Sequence, residues 1–499
     1  MSEQINYSRR ALFIEAAFSP RIQALLLELA ASDWTAISPS CLFFRDFEGL
    51  PKQAPFDLDL LCDAAEWDSL LRHVHKLSEQ DGLLCFHRKA DSSVYILLLD
   101  LAGPPDARRH CFIEIRPDLA IPAKQFAVQP AAQVSILPAT VPRASAAGLP
   151  VPVPSWHCAF LMLQALRKAR PDRYIAALDA FALATREAAL HILADLGFEP
   201  DAVRRWLADP KPLPRRTSSP APAWRDRIAM LCVKYLFFLP ILSYEFFSLH
   251  GPDGVGKTTT CREMEALFTG LPIGLYMFHH SEGWKHGRRR PRETAAAAPR
   301  QVAAPLAAAG SAESSQTGQA AGPLHRVLRA IYRLLPEGLQ DLWVWNSHFI
   351  NYNRNFSRFL YRYRGKGEIL FSDRYLYDVR IKYIVETPKP KWLVRAYYKL
   401  HCGLIPPPSY AYILTDDPAA IASRKNELTA SQIEKFIGAI RIALQQHGVA
   451  AEEIAIAGRS PQAVAIDIAT RLFRRMDARV IEYTKAYMTH LESMGGERG

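Results

Sequence analysis

The sequence predicts an α/β fold in which a carboxyl-terminal three-layer domain, built on a parallel sheet, follows an α+β domain and a helical segment. Three observations support this prediction. A strand-like run, a glycine-rich loop and an amphipathic helical pattern follow one another directly over residues 246–268. A second apolar run ends at an Asp-Arg pair at 373–374. Strand-like and helical runs also alternate over residues 1–130, which is typical of an α+β domain.

The composition indicates a globular protein with more than one domain. The chain has 499 residues, of which 49% are hydrophobic and 22% are charged, whereas an ordinary domain has about 150 residues. The amino terminus lacks a basic start followed by an apolar core, so we expect a cytoplasmic location, with peripheral contact at the inner membrane as the alternative. Lys234, Pro240 and Glu245 interrupt the most apolar stretch, at 228–249, which is therefore a poor transmembrane span.

Cysteine spacing and net charge restrict the chemistry further. The eight cysteines include no Cys-x-x-Cys pair, so we expect reduced core residues rather than a disulfide frame or a zinc site. The net charge of +11 favours anionic partners such as nucleotides, phosphorylated sugars, nucleic acid or an acidic membrane surface. Basic residues gather at 285–292, where a solvated basic loop is an equal alternative.

Changes in composition divide the chain into four parts. They are an α+β domain at 1–130, proline-rich linkers with a helical unit at 131–225, the domain with the glycine-rich loop at 226–485, and a tail at 486–499. The domain at 226–485 contains an insertion at 287–323 that lacks bulky apolar residues, and we expect this insertion to be disordered.

The glycine-rich loop fits the pattern G-x-x-x-x-G-K-[ST] over residues 251–258. Glycines are needed there because the backbone N–H groups must surround a phosphate closely. We expect Lys257 to reach the β and γ phosphates of ATP or GTP, and the Thr258 hydroxyl to bind Mg²⁺. The residues expected to contact the nucleotide in this segment are Gly251, Gly254, Val255, Gly256, Lys257, Thr258 and Thr259.

Two further segments carry candidate site residues. The apolar run at 367–372 delivers Asp373 and Arg374 at its carboxyl end, where ligands bind in open α/β sheets. Asp373 is a candidate for orienting Mg²⁺ or an acceptor hydroxyl, and Arg374 offers a planar fork for a phosphate or carboxylate. A basic pair, Arg424 and Lys425, lies between two helical patterns, as in a lid that brings cations to the ATP phosphates.

Capping signals define these two helices. Asp417 is the expected N-cap of the first, with Pro418 at the first helical position. Ser431 and Glu434 form a capping-box pattern for the second. The apolar face expected for the second helix consists of Ile433, Phe436, Ile437, Ile440 and Leu444.

The segments "GPDGVGKTT", "DRYLYD" and "DPAAIASRKNE", in this order, resemble the thymidylate kinase family of P-loop kinases over about 243–473 without the insertion. The amino-acid sequence of the second and third segments is most similar to that of thymidylate kinase-like proteins associated with bacterial surface-polysaccharide synthesis. The resemblance implies that Asp253 approaches the acceptor and that Arg374 holds its phosphate. Since Gly254 follows the acidic residue, the resemblance also makes Arg424 the catalytic cation.

The sequence departs from the thymidylate kinase pattern at several points. The stretch "GLYMFHHSEGW" replaces the family's thymine-binding segment, and "DVRIKYI" replaces the sequence expected after Asp-Arg-Tyr. Ser409 and Thr415 stand where the family has aspartates. Phosphoryl transfer from ATP is more compatible with these changes than thymidylate specificity is.

The first domain carries acidic residues on predicted strands. Asp57 and Asp59 project from one face because they are two residues apart, and Glu114 is available from another strand. Three such carboxylates would suit a two-metal site. The pattern is similar to a nucleotidyltransferase domain, but the expected Gly-Ser turn before Asp-x-Asp is absent. We therefore favour a degenerate domain that binds or positions substrate.

These features predict an ATP- and Mg²⁺-dependent phosphotransferase in which Lys257, Asp373 and Arg424 are catalytic. The acceptor is an anionic molecule, either a nucleoside monophosphate or a sugar or glycan. One alternative is a nucleotide-binding scaffold or regulator in polysaccharide synthesis. A nucleic-acid-directed enzyme ranks third, since the sequence has no helicase motor pattern. The oligomeric state is left open, including a homodimer.

Overall fold

The computed structural model describes part of the chain, and within that part the fold is mixed α/β with two five-stranded sheets. Asp57, Lys425, the insertion at 287–323 and most of the apolar stretch at 228–249 lie outside the described residues. The described residues are 16–45, 47, 50–52, 58–90, 92–146, 148–167, 174, 177–209, 245–278, 368–375, 377–378, 381, 392, 396, 407–424 and 428–496.

The amino-terminal sheet is mixed, and α-helices pack on both of its faces. Its strand order is β1-β2-β5-β4-β3, with β2 and β5 parallel and the other neighbours antiparallel. Leu25 and Leu70, on two of the helices, pack against Ile96 and Ile113 of the sheet. The elements are α1 (Pro20–Ala30), α2 (Trp34–Ile37), β1 (Leu42–Arg45), β2 (Leu58–Leu61), α3 (Trp67–Gln80), β3 (Leu84–Ala90), β4 (Ser93–Leu99) and β5 (His110–Arg116).

The proline-rich segment expected to be a linker contains regular structure. Alternate apolar residues such as Val134, Ile136, Leu149 and Val151 are buried, because a period of two suits short strands and proline is compatible with strand edges. The predicted helical unit follows. The elements are β6 (Leu119–Ile121), β7 (Val134–Ile136), β8 (Arg143–Ala146), β9 (Leu149–Pro152), α4 (Pro154–Arg167), α5 (Leu183–Asp195) and α6 (Pro200–Ala208).

The second five-stranded sheet is entirely parallel, as predicted, with strand order β11-β12-β10-β13-β14. Successive residues of its strands enter two separate hydrophobic clusters, one containing Leu249 with Ile468 and the other Phe246 with Phe436. Helices therefore cover both faces. The elements are β10 (Phe246–His250), α7 (Lys257–Phe268), β11 (Gly274–Phe278), β12 (Glu368–Ser372), β13 (Tyr410–Thr415), α8 (Pro418–Arg424), α9 (Ala430–Gln446), β14 (Ala451–Ala455), α10 (Pro461–Met476) and α11 (Ala478–Gly496).

The two sheets share a core through the last helices. The Phe473 ring on α10 lies 6.4 Å from that of Phe86 on β3 and 5.4 Å from that of Phe268 on α7. Glu482 on α11 pairs with Arg88 of β3. The segment expected to be a tail therefore differs from that expectation, because α11 continues to Gly496 and packs on both sheets.

Helix α9 begins earlier than its sequence pattern suggested. Thr429 is the N-cap and forms a capping box with Gln432, so the predicted box of Ser431 and Glu434 is wrong. Both pairs fit the capping pattern, but only the earlier one matches a helix that starts at Ala430. The predicted apolar face of α9 is buried in full. Within the described residues, every helix is too short or too polar to cross a membrane.

Candidate functional site

The carboxyl ends of three neighbouring parallel strands bring the predicted site residues to one edge of the sheet. The loop 251–256 follows β10, Asp373 and Arg374 follow β12, and Asp416 follows β13. Because β10 pairs with both β12 and β13, these segments are neighbours in space although they are distant in sequence. This is the edge at which parallel α/β sheets bind ligands.

The glycines of the loop satisfy two separate requirements. Gly251 has φ +145°, and a Cβ atom there would lie 2.9 Å from Val255 Cγ1 and 3.0 Å from the Leu414 carbonyl oxygen. Gly256 has φ +91° and is the N-cap residue of α7. The loop therefore passes close to β13 and then turns directly into the helix, so that N–H groups at the start of α7 are available to an anion.

Lys257 is buried at the first turn of α7. Its Nζ donates hydrogen bonds to the carbonyl oxygens of Gly251 at 2.6 Å and Pro252 at 2.7 Å, and lies 3.8 Å from Asp253 Oδ1. Burial and the nearby Arg374 charge lower the pKa of Lys257 to about 8, against the opposing effect of Asp253. A phosphate at this position would favour the charged ammonium group.

Arg374 and Asp253 connect the two principal segments of the site. The Arg374 guanidinium donates a hydrogen bond to the Asp253 carboxylate, whose side chain is 7% exposed. Burial opposes the charged form of Arg374, but the charges of Asp253 and Asp378 outweigh this effect and raise the pKa of the guanidinium. Asp373 is also buried, and its charge acts on Lys257. The structure thus brings together candidate residues from two separate segments, namely Asp253 and Lys257 from the loop and Asp373 and Arg374 from the turn after β12.

A buried hydrogen-bonded chain beneath this site was not predicted from the sequence. His250 Nδ1 lies 2.7 Å from Asp378 Oδ1, and His250 Nε2 lies 2.8 Å from Ser248 Oγ. All three side chains are buried. The chain links β10 to the turn of helix that follows Arg374. The signal in the sequence was Asp378, the second aspartate of "DRYLYD", because a charged residue in a buried segment needs a polar partner.

Arg424, the predicted catalytic cation, lies at the end of α8 and forms an ion pair with Asp416 at 2.5 Å. The Arg424 side chain is 47% exposed, whereas that of Asp416 is 3% exposed. Asp417 caps α8 as predicted, through the N–H groups of Ala419 and Ala420. Asp416 was not predicted as a site residue, although an acidic residue directly after strand β13 was a signal for it.

The donor groups at this edge of the sheet suit Mg²⁺ better than a metal ion whose ligands all come from the protein. Mg²⁺ keeps several waters and takes one or two carboxylates together with substrate phosphates. Asp373 supplies a carboxylate, and its charge acts on Lys257 and Cys261, which lie on the face of α7 next to the exposed Thr258. Among the described residues, no group of three or more His, Cys, Asp or Glu side chains is arranged to hold a metal ion by itself.

The acidic residues of the first domain lie on adjacent parallel strands. Asp59 on β2 is in register with Glu114 on β5. Asp59 is buried, and Glu114 accepts a hydrogen bond from Arg116 at 2.7 Å. Asp57, the third predicted member, lies outside the described residues.

Comparison with known proteins adds no assignment to this geometry. No protein-family model matches the chain, and no curated protein matches it significantly.

Proposed function

We propose that this chain is an ATP-dependent phosphotransferase related to the thymidylate kinase-like P-loop kinases. The observation that carries the proposal is the joint placement of Lys257, Asp253 and Arg374 at the carboxyl edge of a parallel sheet. A loop that surrounds one phosphate and an arginine that is held within reach of the same loop are what a transfer between two anionic substrates requires.

The residues divide into a donor side and an acceptor side. Lys257 and the N–H groups at the start of α7 hold the phosphates of ATP, and Thr258 with Asp373 would hold Mg²⁺, which neutralises developing charge when bound. Arg374 holds the anionic group of the acceptor, either a nucleoside monophosphate or a sugar or glycan. Arg424 supplies a cation after leaving Asp416, and Lys425 assists it.

The experiment is transfer of labelled phosphate from ATP to panels of nucleoside monophosphates and phosphorylated or acidic saccharides. We expect a labelled product with the wild type, loss of that product with Lys257→Ala, and retention with Lys435→Ala, a lysine exposed on α9. Transfer that persists in Lys257→Ala would contradict the proposal.

A nucleotide-sensing scaffold is the second candidate. The ion pair with Asp416 favours it, because Arg424, the proposed catalytic cation, is bound to a carboxylate instead of facing the phosphates. Tight ATP binding without turnover on any acceptor would support the scaffold. The first domain is proposed as a degenerate nucleotidyltransferase-like unit, since Glu114 forms an ion pair with Arg116. Full transfer activity in an Asp59→Asn variant is the outcome expected for a non-catalytic domain.

A further inference from the structure

Two cysteines that are far apart in sequence face each other in the amino-terminal sheet. The register between β1 and β2 pairs Leu42 with Leu61, so Cys41 and Cys62 form the next opposed pair. The Cys62 N–H donates to the Arg116 carbonyl of β5 at 2.9 Å, and the Cys41 N–H donates to the Ser38 carbonyl at 3.0 Å. Neither amide points to the opposite cysteine, so the two residues form a non-hydrogen-bonded antiparallel pair.

This kind of pair has the geometry that a cross-strand disulfide needs. Opposed Cα atoms in non-hydrogen-bonded pairs are about 4.5 Å apart, with the side chains close together, and disulfides span Cα separations of about 4.4–6.8 Å. Each thiol also affects the pKa of the other, as expected for side chains that lie side by side. The backbone therefore has little distance to move for the two sulfur atoms to be joined.

The surroundings of the two thiols differ in a way that assigns each a role. Ser38 Oγ lies 3.1 Å from Cys62 Sγ, and Ser40 Oγ lies 4.0 Å from it. The neighbouring Cys41 thiol and the hydrogen bonds with these serines lower the pKa of Cys62, against the opposing effects of burial and the Glu66 charge, whereas burial raises the pKa of Cys41. Cys62 is the thiol that ionises more readily. Both cysteines are buried, and the nearby residues 39 and 63–65 are exposed.

We propose that Cys41 and Cys62 are a reversible disulfide site that reacts with low-molecular-weight disulfides such as oxidised glutathione. The Cys62 thiolate attacks one sulfur of the reagent, which forms a mixed disulfide and releases one thiol. The Cys41 sulfur then displaces the second thiol after losing its proton. Two protein thiols are oxidised to one disulfide and the reagent is reduced to two thiols.

The crosslink would fasten an edge of the sheet. Strand β1 is at the edge, and its only strand partner in this sheet is β2 among the described residues. The chain between the two cysteines includes Asp59, the buried carboxylate in register with Glu114. Oxidation would therefore restrain the segment that carries Asp59, independently of the proposed phosphotransferase site.

The test equilibrates the folded, full-length protein with glutathione buffers of increasing oxidising strength, blocks free thiols with iodoacetamide and maps the peptides by mass spectrometry. We expect a peptide linked through Cys41 and Cys62 that disappears on return to reducing buffer. Cys158, whose pKa burial raises to about 11, should remain alkylatable only after unfolding.

Variants separate the pair from general cysteine oxidation. In Cys41→Ser, Cys62 should accumulate as the glutathione mixed disulfide, because no second thiol resolves it. Cys158→Ser is the matched control and should form the linked peptide as the wild type does. A linked peptide that appears only in denaturant, or a Cys62 that stays unmodified in Cys41→Ser while that variant retains the wild-type circular dichroism spectrum, would overturn the proposal.

Discussion

The Arg374 guanidinium, directly after β12, forms an ion pair with the Asp253 carboxylate in the loop after β10. This pair spans two segments separated by more than a hundred residues and holds the proposed acceptor arginine beside the proposed phosphate loop. An anionic acceptor that reaches Arg374 must share the guanidinium with Asp253 or displace it. In the proposed function, the pair would therefore set how strongly the acceptor is held.

The first prediction concerns this pair. Replacing Arg374 with Ala removes a charge-assisted contact to the acceptor, so we expect the KM for the acceptor to rise roughly 10- to 100-fold. The KM for ATP should change little. Arg374→Lys should restore only part of the affinity, since an ammonium group lacks the planar fork. Steady-state kinetics with each substrate varied in turn makes the measurement, and an equal change in both KM values would contradict the division into two sides.

The second prediction follows from the lowered pKa of Lys257. With a pKa of about 8 in the free protein, Lys257 is half protonated at pH 8, and a bound phosphate favours its charged form. Nucleotide binding at pH 8 should therefore take up about half a proton. Affinity should fall as the pH rises above 8. Isothermal titration calorimetry in buffers of different protonation enthalpy measures the uptake.

The control for this titration is Lys257→Arg, because a guanidinium stays protonated at pH 8 and binding should then proceed without proton uptake.

The same lysine affects stability in a defined direction. Its folded-state pKa lies below the unfolded value of 10.5, so the unfolded chain binds more protons between about pH 8 and 10.5. Raising the pH through this range should increase the contribution of Lys257 to the free energy of unfolding. In the binding titration, proton uptake that persists in Lys257→Arg would show that another group takes up the proton.

The third prediction compares two glycines. A Cβ atom at Gly251 meets the Leu414 backbone at 3.0 Å in a conformation with φ +145°. We expect Gly251→Ala to lower the free energy of unfolding by about 1–3 kcal/mol and to weaken nucleotide binding. Gly438 lies inside α9, and a Cβ atom there would point into open space, with no atom outside the helix's own backbone within 4 Å. Gly438→Ala should stabilise the protein by about 0.5–1 kcal/mol. Urea denaturation gives both values, and equal effects would contradict the packing argument.

Local signals predicted the elements around the candidate site correctly. The apolar run before the glycine loop, the amphipathic pattern after it and the Asp417 cap are each complete within about ten residues of sequence. The structure confirms β10, α7 and α8 at these positions. The convergence of Asp373 on the loop also followed from sequence, because carboxyl ends of parallel strands share an edge.

Contacts between distant segments were beyond such signals. His250 and Asp378 are 128 positions apart, and neither belongs to a pattern that names the other. Cys41 and Cys62 appear scattered in sequence and become partners only through the register of β1 and β2. The strands β7–β9 were missed for a different reason, since prolines in a short alternating pattern suggested a linker although the apolar positions are buried.

The fourth prediction concerns the buried chain beneath the loop. Asp378→Asn or His250→Asn leaves a buried polar group without its partner, so we expect each to lower the free energy of unfolding by about 1–3 kcal/mol. The double variant should be less destabilised than the sum of the two single variants, because one change has already broken the contact. A double-mutant cycle by urea denaturation measures this coupling, and strict additivity would show that the 2.7 Å contact contributes nothing.

The final prediction concerns Arg424 and Asp416. Because the Arg424 side chain is 47% exposed, Arg424→Ala should change stability by no more than about 1 kcal/mol. If Arg424 stabilises the transferring phosphoryl group, the same variant should lose roughly 100- to 1,000-fold in kcat with little change in the KM for ATP.

Asp416→Asn weakens the ion pair without removing the cation, so its kcat should equal or exceed that of the wild type. A matched surface variant, Arg441→Ala, removes an exposed arginine that pairs with Glu453 on β14 and should retain wild-type kinetics. An unchanged kcat in Arg424→Ala would remove this residue from catalysis, and in an Asp416→Asn variant a large loss of kcat would show that the pair itself is the active arrangement.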